Sequence, residues 1–84
     1  MASLQYVIDT ICSSLSAKAV HEIIEVQLEQ GSFTLGEILP LIRCKDRSLD
    51  FASTKLIAEA AFEELSHAGR IKIEGDTVYP LIKP

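Results

Sequence analysis

The chain has 84 residues, 48% of them hydrophobic and 24% charged, and a formal net charge of −4. That length holds one domain around one small core, and the apolar fraction is too high for a disordered chain. No apolar run approaches the roughly 20 residues of a membrane span, the N-terminus carries no basic-then-apolar leader, and two cysteines are too few for a disulfide framework.

A cytoplasmic protein with reduced thiols and no membrane association is therefore expected. The acidic balance argues against a protein devoted to gripping phosphates. The charge is unevenly placed. Residues 1–42 hold one base, Lys18, against Asp9, Glu22, Glu25, Glu29 and Glu37, whereas residues 43–84 hold seven bases and seven acids. The later bases concentrate at Arg43, Lys45 and Arg47, then Lys55, then Arg70 and Lys72.

Leu4, Val7, Ile8, Ile11 and Leu15 recur at helical spacing and predict a first amphipathic helix over 3–15. Ser16 is a suitable N-cap for a second helix over 17–30, whose stripe is Val20, Ile23, Ile24 and Leu28 and whose stop is Gly31. Val26 lies off that stripe, where a partner or a second contact would use it. Thr34-Leu35-Gly36-Glu37 matches the capping box, so a short helix over 35–43 follows, and Pro40 within it should kink or shorten it.

After the polar turn Cys44 to Asp50, with Asp50 or Ser48 as cap, a long helix spans 51–67 on the stripe Thr54, Ala58, Ala61, Phe62 and Leu65. Small alanines there allow another helix to cross closely, and Gly69 ends it. Ile71 and Ile73 then alternate inward against Arg70, Lys72 and Glu74, a Gly75-Asp76 turn reverses the chain, and Ile73 faces Val78 while Lys72 faces Tyr79. Pro80 suits an edge strand.

This order of elements, and above all the Glu63–Leu81 segment EELSHAGRIKIEGDTVYPL, resembles the winged helix-turn-helix superfamily. The resemblance covers roughly residues 17–82 and implies a single α+β domain, mainly α, spanning 1–84. Residues 1–16 would be an N-terminal extension helix and the C-terminal β-hairpin the wing; before the capped helix, 32–34 occupies the place of the short strand that pairs with the wing. In DNA-binding members the third helix enters the major groove and the wing touches the backbone.

Carried over by position, Ser53, Thr54 and Lys55 would face bases, and Arg43, Lys45, Arg47, Arg70 and Lys72 would contact phosphates. Glu59, Glu63 and Glu64 depart from that pattern, because they repel a phosphate chain wherever they face it. The apolar residues of the extension helix, Leu4, Val7, Ile8, Ile11 and Leu15, either complete the module's own core or form a homodimer interface; the dimer would supply two recognition helices for a palindromic site.

The remaining chemistry-bearing residues form no pattern. His21 and His67 with Cys12 and Cys44 do not reproduce metal-ligand spacing, and nothing organises a Cys/His nucleophile pair. The glycines match no phosphate-cradling loop. Capping explains Asp50 better than a catalytic pairing with Asp46 does. No enzymatic activity, metal or cofactor is expected. Two functions stand. One is a small DNA-binding regulator of transcription, with double-stranded DNA as partner. The other is a winged helix used as a protein-interaction or assembly module.

Overall fold

The computed structural model describes residues 3–81; the expected domain ends at 1 and 84, and the end of the module at 82, lie outside them. The chain builds α1 (Leu4–Ile11), α2 (Ala17–Glu29), β1 (Phe33–Thr34), α3 (Leu35–Lys45), α4 (Phe51–His67), β2 (Ile71–Glu74) and β3 (Thr77–Pro80). It is a mainly helical α+β fold with a three-stranded antiparallel sheet in the order β1-β3-β2. This layout is consistent with that of a winged helix.

Caps place most of the boundaries. The side chains of Ser3, Ser16, Thr34 and Asp50 each accept a backbone N–H in the first turn of the helix that follows, satisfying donors that a helix start leaves free. At Thr34 the capping box is complete: the Thr34 N–H donates to Glu37 Oε1 at 2.9 Å, and the Glu37 N–H donates to Thr34 Oγ1 at 3.3 Å. The last turn of α4 closes through Gly69, at φ +74°, and a bond from the Arg70 N–H to the Leu65 carbonyl at 3.0 Å.

Three expectations change here. The first helix ends at Ile11 rather than 15, because Cys12 turns into the left-handed region at φ 63° and the Ser13–Leu15 segment folds back toward α3. The third helix runs through Pro40 to Lys45 without a break. Pro40 withholds an N–H from the Gly36 carbonyl, but both residues are exposed, so solvent can reach that oxygen. Pro80 lies on the central strand, not an edge. β1 is only two residues long and pairs with Val78 and Thr77 alone, so the donor Pro80 lacks points past the end of β1.

One core unites the layers. Ile24, Ile38, Ile42 and Ile57 meet between the helices, and Phe33 packs on Phe62 with ring centroids 6.0 Å apart. Leu4 and Ile8 are fully buried and Leu15 nearly so, while Val7 and Ile11 pack against the same cluster. The first helix rests chiefly on α4. Leu4, Ile8 and Leu15 therefore belong to the core of their own chain, which corrects their assignment to a dimer interface, while Val7 and Ile11 are half-buried against that core. α1 is an integral layer of the domain and not an appendage.

Two buried or half-buried carboxylates tie that layer down. Asp46, 8% exposed, accepts from the Ser13 hydroxyl at 2.7 Å, the Ser14 N–H at 3.2 Å, the Ser48 N–H at 3.1 Å and the Ser48 hydroxyl. The Ser48 and Ser13 hydroxyls, with the two backbone donors, hold its pKa well below the usual carboxylate range. Glu64 on α4 accepts the Leu4 N–H at 3.0 Å and lies 3.2 Å from His21 Nε2, so it faces α1 and α2.

Candidate functional site

The residues around the α3–α4 turn are held from both sides. Asp46 pins the turn to the α1–α2 loop, and the Arg43 Nε donates to the Leu49 carbonyl at 3.1 Å. Asp50 is committed to capping α4, accepting the Ser53 N–H at 2.7 Å. That bond, with a smaller contribution from nearby Arg43, lowers its pKa. Asp46 accepts from serine donors, and among the described residues it forms no ion pair with the cations flanking it.

Between α3 and the start of α4 lies an open trough of about 840 Å³. Its walls are Leu35, Leu39, Pro40 and Phe51, its rim carries Arg43, Arg47 and Lys55, and Asp76 of the wing turn stands at the Leu35–Gly36 end. The wing turn is fixed there by the Leu35 N–H, which donates to the Asp76 carbonyl at 2.9 Å. Gly75 supplies the positive φ, +60°, that this two-residue turn needs. Among the described residues none of Arg43, Arg47 and Lys55 makes an ion pair.

Phe51, the first residue of α4, is 65% exposed. Covering its ring against a partner would gain roughly 1.5–3 kcal/mol that the fold leaves unused. Gly36 adds a second such sign. A Cβ built there meets only Thr34 Oγ1, at 3.9 Å, so neither space nor backbone requires glycine. A glycine in a helix costs up to about 1 kcal/mol against alanine, and Gly36 lines one end of the trough.

The eight residues expected to contact DNA divide. Arg43, Arg47 and Lys55 converge on the trough; Lys45 is exposed at the end of α3 but does not line it. Ser53 is half-buried with its N–H used by the cap. Thr54 is fully buried and its hydroxyl donates to the Asp50 carbonyl at 2.7 Å. It is a core residue, which corrects its assignment as a base reader. Arg70 pairs with Glu25 of α2 at 2.9 Å, near the far end of α4, and Lys72 pairs with Glu74 at 3.0 Å. The wing bases thus stand apart from the turn bases and are already neutralised.

A second, smaller trough of about 360 Å³ runs between α4 and the wing, with Glu59, Glu63 and Asp76 on its walls beside Ile73. Ile73, expected inward, is 41% exposed because the tip of the hairpin extends past α4. Glu64 does not belong with its two neighbours, since its carboxylate serves α1 and α2. What the sequence missed is the apolar lining of the first trough, Gly36, Leu39, Pro40 and Phe51. The available signal was Phe51 itself, an aromatic directly after the cap and off the stripe of Thr54, Ala58, Ala61, Phe62 and Leu65.

No protein-family model matches the chain, and neither curated proteins nor solved structures give a match. The class stated by fold and geometry is a small mainly helical α+β domain with one apolar trough rimmed by unpaired cations. No helix among the described residues is long and apolar enough to cross a membrane.

Proposed function

We propose that the chain is a winged-helix module whose α3–α4 trough binds a protein partner. The observation that carries this reading is the composition of the trough: Arg43, Arg47 and Lys55, without ion-pair partners among the described residues, line it together with Leu39, Pro40 and an exposed phenylalanine, while Glu59 and Glu63 follow on the exposed face of α4. A protein surface is recognised by an apolar centre with a polar rim. A duplex instead requires cations spread along the path of its backbone. Here Glu59 and Glu63 follow Lys55 on α4, and the wing cations are paired with acids.

Duplex DNA is the second reading, supported by Arg43, Arg47 and Lys55 standing at the start of α4, where a recognition helix would enter the major groove. Fluorescence anisotropy on a random duplex at about 50 and 200 mM salt separates the two. The interaction reading expects binding no tighter than about 0.1 mM at either salt, the weak end of non-specific association. Micromolar binding that weakens steeply with salt, and disappears when Arg43, Arg47 and Lys55 are changed to alanine, would install the DNA reading in its place.

A further inference from the structure

The trough is not symmetric along its length, and its asymmetry specifies a ligand. Arg43 and Arg47 stand at the C-terminal end of α3 with Lys55 beside them, and Asp76 stands at the opposite end, next to Gly36. From residue 36 to residue 43 α3 rises about 10 Å, two turns of helix. A helical segment laid along it would therefore present about two turns of apolar side chains to Leu39, Pro40 and Phe51.

We propose, on the basis of the interaction reading above, that the trough binds an amphipathic helix with acidic residues clustered at one end. Charge complementarity sets the chemistry and the direction. The acidic end lies against Arg43, Arg47 and Lys55, and the end near Asp76 is neutral or basic. Among the described residues the Arg43 guanidinium uses only Nε internally, which leaves its terminal nitrogens for a carboxylate. The cap carboxylate of Asp50 lies close to Arg43 but is held by the Ser53 N–H, so it tempers that cation without closing the site. Gly36 leaves room for a side chain of the bound helix where any larger residue would stand.

The test uses the full chain and three synthetic peptides of one length. The first carries leucines at helical spacing with glutamates at one end, the second is its scramble, and the third has lysines replacing the glutamates. Backbone-amide shifts locate binding and anisotropy measures it. The acidic amphipathic peptide should move amides of α3 and the first turns of α4, and should bind at least about tenfold tighter than its scramble.

Gly36→Leu, which fills the trough and leaves every charge in place, should weaken binding about tenfold, as should Arg43→Glu with Arg47→Glu. Equal binding of the scramble, or no effect of Gly36→Leu in a variant whose spectrum remains folded, overturns the proposal. Preference for the lysine peptide at the same amides overturns the acidic partner and leaves the interaction reading standing. Shifts at those amides with duplex DNA alone, and with none of the peptides, overturn both.

Discussion

The trough between α3 and α4 is bordered by Arg43, Arg47 and Lys55, whereas the one between α4 and the wing is bordered by Glu59, Glu63 and Asp76. Both use the same helix. Lys55 and Glu59 are one turn apart, so the sign of the exposed face of α4 reverses within roughly 6 Å, less than the ~8 Å screening length of physiological salt. A net charge of −4 therefore describes neither trough. The comparison shows that a ligand following the full length of α4 meets the glutamates as well as Lys55, whereas one confined to its first turns beside α3 meets Arg43, Arg47 and Lys55, with Asp76 alone of opposite sign at the far end.

Four variants break or sharpen that contrast, beginning with the largest effect. Ile8→Ala removes a fully buried side chain of α1 and should cost about 2–5 kcal/mol of stability in chemical denaturation. It should leave peptide binding by the folded fraction unchanged, because α1 touches neither trough. If binding fell as well, the two regions would not be independent of the α1 layer.

Asp46→Asn replaces a carboxylate that accepts four hydrogen bonds with a group that offers two donors to those same donors, loosening the turn that carries Arg47. Since the folded-state pKa of Asp46 is depressed, its contribution is fully present above the ordinary carboxylate value near ~3.9 and is lost as pH falls through the depressed one. The melting temperature of Asp46→Asn should thus lie below that of the parent at pH 7, with the gap narrowing below about pH 4. A gap that stayed constant down to pH 2 would show that the carboxylate charge contributes nothing.

Glu59→Lys combined with Glu63→Lys makes the two troughs alike in sign. Duplex binding at about 50 mM salt should then strengthen by tenfold or more, with stability nearly unchanged because both side chains are exposed. An unchanged duplex affinity would mean that acidic residues are not what keeps α4 from DNA. The smallest effect is expected from Thr54→Val, which deletes the hydrogen bond to the Asp50 carbonyl in a site of the same shape and should cost about 1 kcal/mol. It should alter no binding, whereas a base reader at this position would lose affinity for DNA.

Much of the local structure was legible in the chain. Asp50 and Gly69 bound α4 at the residues expected, and the register placing Ile73 opposite Val78 and Lys72 opposite Tyr79 is the observed one. The candidate site was legible only in part. Arg43, Arg47 and Lys55 do share a surface, but Arg70 and Lys72, equally basic in sequence, are drawn off by Glu25 and Glu74. The pairing of Arg70 joins residues 45 positions apart, which no pattern of spacing along the chain encodes.

What the sequence determined by itself are the elements and the caps that start the helices, because caps, turns and hydrophobic periodicity act over a few residues and are satisfied or violated locally. What only the tertiary structure decided is which face of each element is left over. The apolar stripe of α1 suited a core or an interface equally well until it packed on α4, and Thr54 was a surface or a core residue until α4 was docked. Burial is a property of the neighbours a residue acquires, and those neighbours come from across the fold.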